Sequence, residues 1–158
     1  MRTPLAKRRE AETPAAPETH MIALIEALFF AYRDFVGDAD RLLDTYRFGR
    51  AHHRALHFIA RRPGLTIAEL LEILRITKQS LNRVLRDLIE GGFIEPRAGD
   101  IDRRQRRLFV TTEGASLAAD LVKVQSERLR RAVRSMGAGG EDAAAAFLRG
   151  VSQGGGPT

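Results

Sequence analysis

The sequence predicts a mainly α-helical protein with one small β-hairpin, and three observations lead to this prediction. Apolar residues recur at intervals of three and four over most of the chain, as on the buried face of a helix. Thr66 and Glu69 have the spacing of a capping box, so a helix is expected to begin there. An arginine-rich turn precedes the alternating segment Leu108–Thr112, which is typical of the second strand of a hairpin.

Composition limits the classes of function. The chain has 158 residues, enough for one domain with a hydrophobic core. Its 26 lysines and arginines exceed its 20 aspartates and glutamates, and the net charge of +6 favours a polyanionic partner. The absence of cysteine excludes disulfides, thiolate metal sites and thiol redox switches. No apolar run approaches the ~18 residues of a membrane span, and no secretory signal is evident, which predicts a cytoplasmic protein without a membrane partner.

The N-terminal part is predicted to contain a tail and one long amphipathic helix. Residues 1–19 are rich in proline, alanine and charge, and we expect a disordered tail. Residues 20–49 are predicted to form an N-terminal dimerisation helix and its connection, with Gly37 ending the helix. The apolar residues of this helix recur at helical spacing: Met21, Leu24, Ile25, Leu28, Phe29, Tyr32, Phe35 and Val36.

Residues 50–113 are predicted to form a helix-turn-helix followed by a hairpin. A helix over 50–62 ends at Pro63–Gly64, and the capping box starts a short helix over 67–74. Thr77 caps the next helix, which runs to Glu90 and stops at two glycines. Phe93–Glu95 and Leu108–Thr112 then pair as strands, which must pack on the helices because two strands alone are marginal. This order predicts a winged helix-turn-helix domain.

Residues 114–150 are predicted to form C-terminal dimerisation helices, one running to about Met136 and a short one over 141–150. Residues 151–158 are expected to be a flexible tail. The apolar stripes of the first helix and of the long C-terminal helix exceed what a small winged domain can cover, so we predict a homodimer. The alternative is that these helices pack only on each other within one subunit.

The helix over 77–90 has a face suited to double-stranded DNA. Glutamine and asparagine can pair with adenine and arginine with guanine, and hydroxyls at a helix start suit phosphate. The alternative is an ordinary polar helix face. The candidate DNA-binding residues of this helix are Thr77, Lys78, Gln79, Ser80, Asn82, Arg83 and Arg86.

The hairpin carries a second set of candidate DNA contacts. Five arginines crowd around its tip with two aspartates, Asp100 and Asp102, and such crowding repels unless an anion relieves it. The alternative is a solvated turn. The five are Arg97, Arg103, Arg104, Arg106 and Arg107, of which Arg103, Arg104 and Arg106 are the candidate DNA-binding residues.

Three pieces of the sequence together resemble the MarR family of winged helix-turn-helix transcriptional regulators. They are the helix pair LTIAELLEILRITKQSLNRVLRDLIEGGFI, the wing motif Asp102-Arg103-Arg104, and VTTEG at 110–114, where the family's wing ends and its dimerisation helix begins. The resemblance implies a dimeric regulator, usually a repressor, that binds palindromic operators and is released by a small anionic or aromatic effector. It also implies that Asp102 braces the wing while Arg104, or Arg103 in its place, enters the minor groove.

Two further groups of residues have open interpretations. His53 and His57 lie four residues apart and could share a helix face with His52 nearby, but no third metal ligand is evident, and packing or pocket histidines are favoured over a metal site. A candidate effector pocket, equally readable as an ordinary interface, comprises Tyr32, Tyr46, Arg47, Arg50 and His53. No catalytic set appears, so neither enzyme activity nor a cofactor is expected. The alternatives to a specific regulator are a winged-helix protein–protein adaptor and a non-specific DNA-binding protein.

Overall fold

The computed structural model describes residues 19–99 and 105–152, which form helices around a small antiparallel sheet. The predicted N-terminal tail falls mainly outside these residues, as does the end of the C-terminal tail. The helices are α1 (Thr19–Leu43), α2 (Arg50–Arg61), α3 (Ile67–Leu74), α4 (Lys78–Glu90), α5 (Thr112–Met136) and α6 (Gly140–Val151). The strands are β1 (Leu65–Thr66), β2 (Ile94–Ala98) and β3 (Arg106–Val110). None of the helices in this part of the chain combines the length and apolar character needed to cross a membrane.

The chain divides into two compact units, residues 1–32 and residues 33–158. Within the first unit, the structure describes the N-terminal part of α1, whose large apolar side chains are exposed. The second unit contains the hydrophobic core, which draws on α1 beyond residue 33 and on every later helix up to α5. Its largest fully buried side chains are Leu43, Leu56, Ile59, Leu70, Leu74, Leu81, Leu88, Leu108 and Leu121.

The predicted end of the first helix at Gly37 is wrong, because α1 continues to Leu43. The six additional residues place Ala39 and Leu43 in the core with no exposed surface. They also bring the carboxylate of Asp38 to the guanidinium of Arg128 on α5, with an Nη2–Oδ1 distance of 3.1 Å. Burial and this ion pair offset the cost of a glycine in a helix, which is about 1 kcal/mol relative to alanine.

Local capping interactions start the helices as predicted. The Thr66 hydroxyl accepts the Glu69 N–H at 3.2 Å, and the Glu69 carboxylate accepts the Thr66 N–H at 2.8 Å. Thr77 accepts the Ser80 N–H at 3.1 Å and begins α4. The end of α3 receives help from a distant residue, because Arg54 donates to the Leu74 carbonyl at 3.0 Å. The predicted helix-turn-helix is therefore present.

The sheet differs from the predicted two-stranded hairpin. Its strand order is β1-β3-β2, and the additional strand β1 pairs Leu65 with Leu108. A two-residue strand is too short to show a periodic pattern in the sequence. β2 continues through Pro96 to Ala98, which an edge strand tolerates because proline lacks only a donor. β3 ends at Val110 rather than Thr112, because Thr111 caps α5 and Thr112 is its first residue.

One close contact joins the end of the α4 segment to the start of α5. A Cβ atom at Gly114 would lie 1.8 Å from the Phe93 carbonyl oxygen, so only glycine fits there. The same carbonyl accepts the Thr111 N–H at 3.1 Å. The Thr111 hydroxyl donates to the Gly92 carbonyl at 2.6 Å and accepts the Gly114 N–H at 3.1 Å. We call these four residues, Gly92, Phe93, Thr111 and Gly114, the α5 junction.

We predict that Gly114→Ala destabilises the protein by about 3 kcal/mol or more, because the added methyl meets rigid backbone rather than a movable side chain. The matched control is Gly37→Ala, also in a helix. The added methyl would meet only the movable end of the Arg41 side chain, with Nη1 at 4.0 Å, so this substitution should stabilise the protein by about 0.5–1 kcal/mol. Denaturant unfolding measures both free energies, and changes of the same sign would contradict the described contact.

We also predict an acid-dependent contribution from Asp38. Hydrogen bonding to Arg128, opposed by burial and assisted by Arg41, lowers the pKa of Asp38 from its ordinary value near 3.8 to about 2. A lowered carboxyl pKa stabilises the fold above the unfolded value, and this contribution is lost as the pH falls through the folded value. The stability difference between wild type and Asp38→Asn should therefore be constant above about pH 5 and shrink between about pH 4 and 2.

Denaturant unfolding across this pH range tests the Asp38 prediction. The exposed Asp120 lies on the same helix as Arg128, so Asp120→Asn controls for the change in net charge. A difference between wild type and Asp38→Asn that persisted unchanged at pH 2 would show that the ion pair does not stabilise the fold.

Candidate nucleic-acid interface

The α4 helix separates a buried apolar stripe from an exposed polar face. Leu81, Val84, Leu85 and Leu88 point into the core, each 5% exposed or less. The remaining side chains are held outward by this packing, as the helical period requires. The exposed residues predicted as DNA contacts are Lys78, Gln79, Ser80, Asn82, Arg83 and Arg86. We call this set the α4 donor face.

The N-terminus of α4 combines the cap with two hydroxyl groups. Thr77 uses its hydroxyl to accept the Ser80 N–H and to donate to the Ser80 Oγ atom at 2.9 Å. Ser80 accepts that proton and therefore retains its own for another acceptor. Free N–H groups in a first helical turn attract anions. Of the two predicted hydroxyl contacts, Ser80 is thus better placed to donate, and Thr77 mainly orders the turn.

A groove of about 450 Å³ runs between α4 and the hairpin. Asn82 and Arg86 line it from α4, Pro96 and Arg106 from the two strands, and Leu85 lies among the apolar residues of its wall. The structure thus brings members of two separately predicted sets, Asn82 and Arg86 of α4 and Arg106 of the hairpin, to one surface. We call this feature the α4–wing groove, the wing being the β2–β3 hairpin with its connecting loop.

The described wing arginines divide into two groups, and for two of them, Arg97 and Arg107, this corrects the predicted crowding. Arg97 donates its Nε–H to Glu95 at 2.9 Å and lies 4.5 Å from the ring centroid of Phe109. Arg107 donates to the Gly64 carbonyl at 3.2 Å and so ties β3 to the turn before β1. Only Arg106 of the described wing arginines is exposed in the α4–wing groove. For Arg97 and Arg107 the sequence interpretation was wrong, because it left Glu95 out and could not anticipate the approach of Gly64.

Three other wing residues, Asp102, Arg103 and Arg104, lie outside the described part of the chain. The predicted bracing by Asp102 and the predicted minor-groove contacts of Arg103 and Arg104 therefore stay predictions.

The histidines of α2 have separate environments. His52 accepts the Gly49 N–H at its Nδ1 atom, 3.1 Å away, and its Nε2 atom lies 2.9 Å from the Asp87 carboxylate on α4. Burial lowers the pKa of His53, and the neighbouring His57 lowers it further. Burial also lowers the pKa of His57, with a smaller contribution from Arg61. Among residues 19–99 and 105–152, no group of three metal-ligating side chains is present.

Sequence reasoning missed the contact between His52 and Asp87. The signal was available in part, because histidine at the third helical position can accept the cap N–H as glutamate does in a capping box. The partner on α4 is 35 residues away in sequence, and no local pattern predicts that contact.

The predicted effector residues are engaged in packing and pairing. Arg50 pairs with Asp40 through two nitrogens, its Nη2 atom lying 2.9 Å from Oδ2. The Tyr46 ring packs edge-on against Phe93, with centroids 5.3 Å apart. Arg47 ends the short 3-10 turn Asp44–Tyr46 with a φ of 57°. His53 is half-buried on α2, and Tyr32 is exposed on α1 in the first compact unit. An effector role for these residues stays a prediction.

Comparison with known proteins identifies the family. A model of the MarR family matches residues 48–105, which extend from the residues before α2 into the wing. The chain is 55% identical over 113 residues to the HTH-type transcriptional regulator PetP of Rhodobacter capsulatus, covering 72% of this chain and 68% of that protein. The chain belongs to the MarR family. It is a winged-helix transcriptional regulator, as its sequence predicts.

Solved structures of MarR proteins share the fold. A crystal structure of MarR is 26% identical and has a TM-score of 0.61, with 84% of this chain and 94% of that chain covered. A structure of the Staphylococcus aureus MepR–DNA complex is 18% identical and has a TM-score of 0.59, covering 77% of this chain and 92% of that chain. At such identity, the second likeness concerns the fold alone. The mainly helical architecture with a small wing is therefore that of the MarR family.

Proposed function

We propose that this MarR-family protein is a dimeric repressor that binds palindromic operators in double-stranded DNA. α4 would enter the major groove, and the wing would follow the backbone toward the minor groove. The observation that carries the proposal is the continuity of the α4 donor face with Arg106 through the α4–wing groove. A DNA complex of MepR, which has the same fold, adds support.

The chemistry of each side chain suits it either to base contacts or to phosphate contacts within this interface. Gln79 and Asn82 can each offer a donor and an acceptor to adenine, and Arg83 can donate twice to guanine. Lys78 and Ser80, in the first turn, suit phosphate oxygens. Arg106 extends the interface onto the wing, where the undescribed Arg103 and Arg104 would continue it. Sequence preference should therefore depend on α4, and general affinity more on the wing.

Dimerisation is the second part of the proposal, and two exposed apolar surfaces support it. The N-terminal part of α1 exposes Leu24, Ile25, Phe29 and other large apolar side chains, with Phe29 66% exposed. A groove of about 580 Å³ between α5 and α6 is lined by residues that include Leu129, Val133 and Leu148. We assign segments 20–49 and 114–150 to the dimer interface, because exposed apolar patches of this kind favour a second subunit.

We further propose that a small anionic or aromatic effector releases the protein from DNA. Tyr32, Tyr46, Arg47, Arg50 and His53 are the residues we assign to effector binding. An anion would have to compete with Asp40 for Arg50. A ligand anion that displaced Asp40 would pair with the Arg50 guanidinium in its place.

Selection from a random duplex library tests the DNA-binding proposal. Wild-type protein should select an inverted repeat whose half-sites are separated by about one helical turn or a multiple of it. Asn82→Ala should weaken binding to the selected duplex by about 1–3 kcal/mol and binding to random duplex much less. Arg106→Ala should weaken binding to both duplexes and lower the salt dependence by about one counterion.

Arg97→Ala is the matched control for Arg106→Ala, because Arg97 also lies on the wing but is paired with Glu95 and packed on Phe109. We expect Arg97→Ala to change the salt dependence less than Arg106→Ala does. Failure to select any sequence, with a steep salt dependence on all duplexes, would indicate a non-specific DNA-binding protein. Weak binding with a shallow salt dependence would favour a protein–protein adaptor.

Sedimentation of an α6 variant tests the dimer. Leu148 is 53% exposed within the subunit, so Leu148→Asp should leave the subunit folded while placing a charge in the proposed interface. We predict that it shifts the protein from dimer to monomer at micromolar concentration. Ala143→Asp places the same charge at an exposed position of α6 outside the α5–α6 groove and should stay dimeric. Wild-type protein that sediments as a monomer would refute the proposed assembly.

A further inference from the structure

The imidazole of His52 connects α2 to α4 through two polar contacts. Its Nδ1 atom accepts the Gly49 N–H, so the ring proton lies on Nε2, which donates to the Asp87 carboxylate at 2.9 Å. We propose that this His52–Asp87 link orients the α4 donor face and that the sequence preference of the protein depends on it. This inference rests on the proposed DNA-binding function.

The His52 ring is held in one position relative to α2, so a hydrogen bond from it can set the orientation of α4. The side chain is only 15% exposed, and its ring stacks on Phe48 with centroids 4.9 Å apart and planes 11° from parallel. The capping hydrogen bond with Gly49 sets the rotation of the ring about its own axis. Both ring nitrogens and one ring face are thus constrained, and the Nε2–H direction is fixed relative to α2.

Asp87 is the natural partner for such a fixed donor, because it lies beside the α4 donor face. It precedes the buried Leu88, follows Arg86, and is four residues beyond Arg83. The hydrogen bond from His52 to Asp87 therefore fixes, relative to α2, the turn of α4 that carries Arg83 and Arg86.

Apolar packing already holds α4 firmly against the core, and the His52–Asp87 link adds one directional contact. The apolar stripe of α4 is buried, and Phe93, just beyond α4, packs edge-on against Phe48 with centroids 5.2 Å apart. Apolar packing is largely non-directional, whereas a hydrogen bond to a carboxylate prefers one distance and angle. Removing the link should therefore disturb the orientation of the donor face more than it disturbs folding.

Two substitutions that both replace the Asp87 carboxylate with an uncharged side chain separate the effect of the hydrogen bond from the effect of the charge. Asp87→Asn removes the negative charge but retains a carbonyl oxygen that can accept the Nε2–H. Asp87→Ala removes both the charge and the acceptor. Alanine is also the better helix former, so a loss seen only in Asp87→Ala cannot come from a weaker helix.

The measurement is the ratio of affinities for the duplex selected by wild-type protein and for a random duplex, together with the thermal unfolding midpoint. Asp87→Ala should lower this ratio by about tenfold, the discrimination that one misaligned base contact would lose, with little change in the midpoint. Asp87→Asn should keep most of the wild-type ratio. In a His52→Ala background, Asp87→Ala should have no further effect, as the double-mutant cycle of a single contact requires.

Equal ratios for Asp87→Ala and Asp87→Asn, or losses that add in the double variant, would overturn the proposal. A uniform loss on both duplexes that follows a lowered unfolding midpoint would also overturn it, because it would mark a structural contact only. Failure of the proposed DNA-binding function looks different. In that case wild-type protein itself would prefer no duplex.

Discussion

The close approach of α5 to the Phe93 carbonyl is the constraint on which the rest of the molecule depends. The α5 junction brings three elements within hydrogen-bond distance of one another: the end of α4, the start of β2 and the first turn of α5. A side chain at Gly114 would separate them, because its Cβ atom would overlap the Phe93 carbonyl. The wing is therefore tied at its base to both α4 and α5, and the position of α4 relative to α5 follows from this contact.

The contacts that hold α4 in place leave its donor face open. Leu81 and Leu88 anchor the inner side, while Phe93 and the His52–Asp87 link hold its C-terminal end against α2. The arginines also divide into those that stabilise the fold and those that are exposed, and Arg54, Arg97 and Arg107 make contacts within the fold. A basic chain therefore does not present all of its positive charge to a partner. The candidate DNA-binding surface is formed instead by exposed arginines such as Arg83, Arg86 and Arg106.

Sequence reasoning predicted the features that local physics determines. The Thr66–Glu69 capping box, the buried stripe of α4 and the exposed donor face all follow from spacings of three and four residues. It missed features that depend on distant partners. α1 passes Gly37 because Asp38 meets Arg128, 90 residues later, and β1 exists because Gly64 and Leu65 meet β3 across more than 40 residues. Propensity alone would end a helix at a glycine, and only tertiary contacts overrule it.

The connection between α1 and α2 joins the proposed effector residues to α4, the helix that we propose to contact DNA. Tyr46 packs on Phe93, and Phe48 contacts both Phe93 and His52, so one aromatic cluster borders both the predicted effector residues and the end of α4. Contact alone does not make a switch. An effector changes the affinity for DNA only if α4 has two arrangements and the effector binds them with different affinities. The difference between these two binding free energies limits the change in the free energy of DNA binding.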